Sequence, residues 1–594
     1  MSKGFTSSYR LILLATTVLV CFAGVGVRLV HLHVLDRERL VSYVDRARSS
    51  IARQEARRGD ILDARGDVLA TSRTVIALGV DPQSLKPEDE IKWSKLAQLL
   101  ELPLSEIQTI FGQKTRSTES GEIRDVRWVK LRDGIEESTY LAIQKLKIKG
   151  VYGNRSYRRV YPRNSLASHV IGYLNRENTP SGGIESFANF YLKGQDGWME
   201  TEKDGKRREM AQFRHREVAA TAGYSVVLSI DSVVQHLIES ELNFISETYH
   251  PQKATILVSD AESGFLLGMA NYPSYNLNEY GKAPMAVQRN VAVTDLIDPG
   301  STFKIVAASG ALDAGLVTPE TEFNCSIDSI EYRGRVRRFM PDDHAHDHPL
   351  SVAEIISQSS NVGAAQLGMK LGEKGLYDAA RKFGFGEKSG FQLGYESGGL
   401  LNTPDKWSAL EITRIPAGYS ISATPLQIHY AMSTIASGGQ LLRPQIIREI
   451  RDEKGEGVYS FGGVSRRQVI KPVVAQQMAK MLMGVTEDGT AKGAAIPGYQ
   501  VAGKTGTAQK LIDGQYSNRN HVGSFVGFFP ASDPRVVITV IVDDAKLDRG
   551  RLNYGSAVAV PSFKRIAEKL ISYLDIKPAV LGETANYAMR GPAQ

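Results

Sequence analysis

The sequence predicts a multi-domain α/β protein held to a membrane by one helix. Three observations lead there: a long apolar run close to the N-terminus, a basic and irregular stretch after it, and a region whose strand patterns at both ends enclose a helical middle. At 594 residues the chain is too long for a single small binding module, and 42% hydrophobic with 23% charged residues is ordinary globular composition. That balance excludes collagen-like, mostly disordered and many-span membrane proteins. The 72 basic residues outnumber 65 acidic ones by only 7, with no Lys/Arg run dense enough for a nucleic-acid face, so no nucleic-acid partner is expected. Cys21 and Cys325 are too few for a disulfide framework or a thiolate zinc site.

Taken in order, residues 1–10 form a short tail, and residues 11–35 are largely apolar, with Arg28 as their one charged residue besides two threonines and two histidines. About 20 such residues cross a bilayer. The run outlasts a signal-peptide core and ends in Arg28 without a clear small-x-small cleavage site, so it reads as an uncleaved anchor. Val20 is too bulky to precede a lipidated Cys21. Lys3 and Arg10 before the span face Arg37, Arg39, Arg46 and Arg48 after it, so local charge does not set the orientation. Residues 36–222 alternate strand-like segments such as 75–80 with helix-like ones such as 94–101, an extended α+β domain without catalytic spacing. Residues 223–575 form the next domain. A strand at 224–231, an amphipathic helix at 232–249 and a hairpin over 253–272 open it; strands near 499–511, 521–529 and 535–543 and a helix at 561–574 close it. The hairpin and the three late strands predict one five-stranded antiparallel sheet flanked by helices. Residues 576–594 show no periodicity and read as a flexible tail.

Three short elements carry chemistry. Pro299-Gly300 breaks the chain before Ser301-Thr302-Phe303-Lys304, where an apolar helix begins, so Ser301 and Lys304 sit one turn apart on one face. A serine hydroxyl needs a base, and an amine in apolar surroundings can lose its proton near neutrality. Ser359-Ser360-Asn361 follows a capping box, Ser351-Val352-Ala353-Glu354, and lies at a helix–helix turn, placing the Ser359 hydroxyl beside the Asn361 amide. Lys504-Thr505-Gly506-Thr507 lies in a late strand; Gly503 and Gly506 around Lys504-Thr505 suit close approach of another backbone, and Lys504, Thr505 and Thr507 could receive a carboxylate. Singly, each pattern is more often a solvated helix edge, a turn or a weak strand. The run Asp342-Asp343-His344-Ala345-His346-Asp347-His348 looks metal-like, but its alternation in a polar loop reads better as a solvated linker.

In their order, Ser-x-x-Lys, Ser-x-Asn and Lys-Thr-Gly resemble the set of the penicillin-binding proteins and class A β-lactamases, with Ser-Ser-Asn here where Ser-Asp-Asn is usual. The resemblance reaches further. Arg58-Gly59-Asp60, Arg158-Arg159-Val160-Tyr161-Pro162, His169-Val170-Ile171-Gly172-Tyr173 and Gly183-Ile184-Glu185 are similar to the non-catalytic module of class B penicillin-binding proteins. Ser229-Ile230-Asp231, Arg289-Asn290, Thr424-Pro425-Leu426-Gln427 and Tyr554-Gly555 match the catalytic part, so residues 10–575 are covered. Asp298 stands before Pro299-Gly300 where Glu is frequent.

The resemblance implies a penicillin-binding transpeptidase (β-lactamase-like) fold on a pedestal of dimerisation type. It implies a peptidoglycan D,D-transpeptidase: Ser301 as nucleophile toward D-Ala-D-Ala stem peptides, Lys304 as base, Ser359 and Asn361 assisting proton transfer and acyl positioning, and Lys504, Thr505, Gly506 and Thr507 binding the terminal carboxylate. The N–H groups of Ser301 and Thr507 would form the oxyanion hole. No cofactor or metal is needed. β-Lactams would acylate the same serine. Because the substrate lies outside the cytoplasmic membrane, residues 1–10 would be inside and the rest on the periplasmic side. The short tail and Gly418-Tyr419-Ser420-Ile421-Ser422 look more like the division (FtsI-like) branch than the elongation branch. Its partners would be a multi-span glycan polymerase of the SEDS (FtsW-like) family and other divisome membrane proteins. A hydrolytic carboxypeptidase stays open, since water and an amine use one acyl-enzyme; a β-lactam sensor fits less well, because an extended module precedes the catalytic part.

Overall fold

The structure, a computed structural model, describes residues 8–117, 123–126, 128–203, 209–408, 410–512, 514–547 and 553–578. Most of the expected N-terminal tail, and the C-terminal tail from residue 579, lie outside them. The chain divides into two compact units, residues 1–57 with 194–222 and residues 58–193 with 223–594.

The first unit starts with helix α1 (Ser8–Val30), which runs on through a π-helical turn at His31–Leu35. Together they are long and apolar enough to cross a membrane, about 42 Å at 1.5 Å per residue, and no residue of α1 is buried. Thr16 and Thr17 would leave bare hydroxyls in such a segment; instead each donates to the carbonyl four residues back, Ile12 and Leu13, at 2.8 Å. A helix at Arg37–Arg48 follows, and the unit ends in an antiparallel sheet of Ser49–Gln54, Gly197–Lys203 and Glu209–Val218.

In the second unit, residues 58–193 build much of a seven-stranded sheet around the long strand Val68–Val80, which pairs with Val129–Ile135 on one side and Val151–Val160 on the other. The alternating strand Ser225–Leu228 joins this sheet, parallel to Ile61–Leu62, so the pattern located a strand but not its partners. Three segments singled out in sequence converge on one carboxylate. Glu185, with no exposed surface, accepts from Arg58 Nε at 2.7 Å, from Arg159 Nε at 2.6 Å and from the Tyr161 hydroxyl at 3.2 Å. Its two oxygens are thereby fully engaged, which burial of a carboxylate requires. These residues hold the fold and lie outside the chemistry described below.

The five-stranded sheet contains β1 (Lys253–Asp260), β2 (Leu266–Tyr272), β3 (Ala502–Ile512), β4 (Gln515–Phe529) and β5 (Val536–Asp543), in the spatial order β2-β1-β5-β4-β3 and antiparallel throughout. Both ends of the domain therefore close one sheet, as the pattern predicts, and β3 is left at an edge. Helix α2 (Ser232–Tyr249) is capped by the Asp231 carboxylate, which accepts from the Val233 and Val234 N–H groups. Side chains alternate across the sheet. On β4, Phe525 meets Phe563 of the C-terminal helix Val560–Tyr573, ring centroids 4.7 Å apart. On the opposite face Thr539 and Ser259 hydrogen-bond the two ring nitrogens of His429, from the helix Pro425–Ala436, at 2.8 and 2.7 Å. Burial pushes that imidazole down to about 3, so it is a neutral core group.

Candidate active site

Pro299 begins a tight turn, and Gly300–Phe303 form a 3-10 turn that feeds helix α3 (Lys304–Asp313). The Thr302 hydroxyl donates to the Pro299 carbonyl at 2.7 Å and closes the turn. Ser301 is partly exposed at its apex, while Thr302 and Phe303 are buried. Gly300 N–H donates to the Gly418 carbonyl at 3.1 Å, and a Cβ on Gly418 would lie 2.0 Å from the Gly300 oxygen, so the approach of these two backbones requires glycine there.

Lys304 points inward with no exposed surface. Its amine donates to the Ser359 carbonyl and to Asn361 Oδ1 at 2.8 Å, and lies 3.2 Å from the Ser359 hydroxyl. Burial drives its pKa down to about 7 against the upward pull of Asp342 and Asp343. A lysine so placed changes charge near neutral pH.

The acceptors come from a helix–helix turn. Helix α4 (Val352–Ser357) carries the expected capping box of Ser351 and Glu354, and helix α5 (Asn361–Lys382) starts four residues after it ends. Between them Ser359 takes φ +63°, a left-handed conformation costly for a residue with a Cβ, which turns its carbonyl and hydroxyl toward Lys304. Ser360 is the N-cap of α5, accepting from Gly363 N–H at 2.9 Å.

The third element lies on edge strand β3, with Lys504 opposite Val526 and Gly506 opposite Ser524 of β4. Lys504 has no exposed surface. Among the described residues its amine donates only one long bond, 3.4 Å to the Thr505 carbonyl. Burial holds its pKa well below the usual range, and the Lys304 amine lowers it further. Thr505 Oγ1 is 2.9 Å from Thr490 Oγ1, and Thr507 Oγ1 accepts from the Gly555 N–H at 3.1 Å. A Cβ at Gly506 would meet Ser524 Oγ at 2.3 Å, Thr302 Cγ2 at 2.9 Å and the Pro299 carbonyl at 3.2 Å. Glycine there lets β3 lie directly against the turn bearing Ser301.

The expected residues Ser301, Lys304, Ser359, Asn361, Lys504, Thr505, Gly506 and Thr507 thus meet in one place, though they span about 200 residues of sequence. Several neighbours lie outside the three motifs: Thr490, Tyr419, whose hydroxyl reaches the Thr507 carbonyl at 3.5 Å, and above all Asp342 and His346. The 342–348 loop departs from the solvated linker expected of it. Its outer residues are exposed, but the side chains of Asp342 and His346 are only 7% exposed and pair at 2.9 Å. Among the described residues no group of three or more His, Cys, Asp or Glu could hold a metal ion. The density of acids and histidines was a usable signal; its target was the Ser-Ser-Asn turn.

Residues 254–568 match the model of the penicillin-binding protein transpeptidase domain, and residues 53–228 match that of the penicillin-binding protein dimerisation domain. The chain is a class B penicillin-binding protein. Curated relatives match it over nearly its whole length. Stage V sporulation protein D of Bacillus subtilis is 30% identical over 574 residues, 96% of this chain and 86% of that one. Peptidoglycan D,D-transpeptidase FtsI of Escherichia coli K12 is 29% identical over 580 residues, 97% and 93% of the two chains. Among solved structures, penicillin-binding protein 3 of Mycobacterium tuberculosis complexed with ampicillin superposes with a TM-score of 0.68 at 26% identity, covering 90% of this chain and 98% of that one. Its complex with aztreonam gives the same TM-score at 25% identity, over 89% and 98%.

Proposed function

We propose that this penicillin-binding protein is a serine D,D-transpeptidase that cross-links peptidoglycan stem peptides through an acyl-enzyme on Ser301, in septal wall synthesis. The observation that carries the reading is the Lys304 amine: buried, poised near neutral pH and clasped by the Ser359–Asn361 turn one helical turn from Ser301. A neutral amine has two N–H bonds. Directed at the Ser359 carbonyl and Asn361 Oδ1, they leave its lone pair free to take a hydroxyl proton.

In the first step the Ser301 oxygen attacks the carbonyl carbon of the penultimate D-Ala while Lys304 accepts the hydroxyl proton. The N–H groups of Ser301 and Thr507 would hold the tetrahedral oxyanion; the close approach of Gly300 to the Thr507 carbonyl, where a Cβ on Gly300 would lie 3.1 Å from that oxygen, supports this reading. Collapse breaks the peptide C–N bond, and the proton passes to the leaving D-Ala amine through Lys304 and Ser359. An amine from a neighbouring stem then attacks the ester, loses its proton along the same route and releases Ser301. Lys504, with Thr505 and Thr507, receives the terminal carboxylate of the donor peptide. A β-lactam presents a carboxylate and an amide of the same kind, and the ampicillin and aztreonam complexes of the Mycobacterium tuberculosis relative support its entry here. The chemistry requires no cofactor.

The domain containing this site, residues 223–575, belongs outside the cytoplasmic membrane, where stem peptides are, with residues 11–35 as anchor and 36–222 as pedestal. A multi-span glycan polymerase of the SEDS family is the partner that would supply strands for this domain to cross-link. Fluorescent penicillin should label the full-length protein, and Ser301→Ala should abolish labelling with thermal unfolding unchanged. Labelling that survives in that variant overturns the assignment. Protease should reach the large domain in spheroplasts and not in inside-out vesicles; the reverse overturns the orientation.

A further inference from the structure

Asp342 stands outside all three motifs, yet its carboxylate is directed at the middle one. Oδ1 accepts from the backbone N–H of Asn361 and from that of Val362 at 3.1 Å. Oδ2 accepts the Ser360 hydroxyl proton at 2.6 Å and lies 2.9 Å from His346 Nε2. The first N–H groups of a helix have no partner within it, so Asp342 caps α5 from another segment while its negative charge meets the positive end of the helix. The neighbouring carbonyl of Pro341 accepts from Asn361 Nδ2 at 2.8 Å. With Nδ2 held there, the Asn361 oxygen is left facing Lys304, so this loop also settles which way the amide points.

We propose that Asp342 is a positioning residue for acylation, locking the Ser359-Ser360-Asn361 turn so that Ser359 and Asn361 stay aimed at the Lys304 amine. The inference rests on the reading of Ser301 and Lys304 as the acylating pair. A cap alone would serve stability, but the left-handed Ser359 gives the clamp a second role. That conformation persists only where its surroundings hold it, and Ser360 and Asn361, its next two neighbours, are both fastened to Asp342. The carboxylate also acts on the base through space. Charged groups facing the Lys304 amine are Asp342 and Asp343 from the loop and Lys504 from β3; those beside Asp342 are His346 and the buried thiol of Cys325. Asp342 favours the protonated amine. Removing its charge therefore moves proton loss from Lys304 to lower pH.

The test follows acylation by fluorescent penicillin against pH in the detergent-solubilised full-length protein, for the wild type, Asp342→Ala, Asp342→Asn and Ser301→Ala. In Asp342→Ala the plateau rate should fall roughly 5- to 100-fold, the range expected when buried donors lose their acceptor. Asp342→Asn keeps an acceptor oxygen without the charge; it should recover part of the rate and shift the acid limb to lower pH by about 0.5 unit or more. A cap with no role at the site would leave that limb in place. An unshifted limb in Asp342→Asn, or a rate within about twofold of wild type in Asp342→Ala, overturns the proposal. If Asp342→Ala does not fold, the limb in Asp342→Asn decides. Failure of the underlying reading is distinct: wild type would go unlabelled, or Ser301→Ala would be labelled.

Discussion

Lys304 and Lys504 share a residue type, complete burial and a depressed pKa, and differ in what surrounds the amine. Lys304, on a helix, is held by the Ser359 carbonyl and Asn361 Oδ1, with the Ser359 hydroxyl beside it. Lys504, on an edge strand, has among the described residues one weak carbonyl contact and the Lys304 amine within electrostatic reach. Burying a charge without a partner costs several kcal/mol, so the two sites meet that cost in different ways. At Lys304 dipolar acceptors orient an amine that can shed its proton. On the proposed reading, a substrate carboxylate would supply the counter-ion to Lys504. Chemical role follows from the partner set, and residue type and burial do not decide it.

The comparison breaks most visibly at the base. Lys304→Arg holds a permanent charge and cannot accept the Ser301 proton, so acylation should fall by about three orders of magnitude or more, read by stopped-flow with a chromogenic β-lactam. A near-normal rate would place the base elsewhere. Next comes Lys504→Ala, where losing one partner of a desolvated charge pair should slow acylation by about two to three orders of magnitude. That variant should also lose most of the preference for a carboxylate-bearing β-lactam over its methyl ester. Undiminished preference would assign the carboxylate to another residue.

A pH series sharpens the contrast with a smaller effect. Acylation should rise through pH about 7 as Lys304 becomes neutral. Stability carries the same signature. The folded amine titrates near 7 and the unfolded one near 10.5, so across that window the unfolded chain binds more protons and stability rises with pH. Below about 7 both states are protonated and this gain is absent. Wild type should therefore gain on Lys304→Met as pH is raised through the window, measured by calorimetric melting; a constant difference would mean the amine titrates normally. The smallest effect expected is at Thr490→Val, which removes the hydroxyl beside Thr505 on the carboxylate side. A loss of about two- to fivefold in acylation should leave the pH limb unmoved. A moved limb would link Thr490 to the base.

Local pattern carried much of this protein into view from sequence alone. The helix expected at 232–249 forms at Ser232–Tyr249, and the hairpin and the three late strands all lie in the five-stranded sheet. Amphipathic period, turn residues and capping boxes are properties of a few consecutive residues, so they survive reading without a fold. The eight candidate site residues were legible for the same reason, as short spacings in a characteristic order. Tertiary structure alone decided what those residues meet. Ser225–Leu228 reads as any alternating strand, yet it pairs outside the five-stranded sheet, because strand partners are chosen by contacts far along the chain. The burial of both lysines, the left-handed turn at Ser359 and the clamp from Asp342 are set in the same way. Each depends on segments brought together only on folding, where desolvation and neighbouring charge fix an amine's proton affinity.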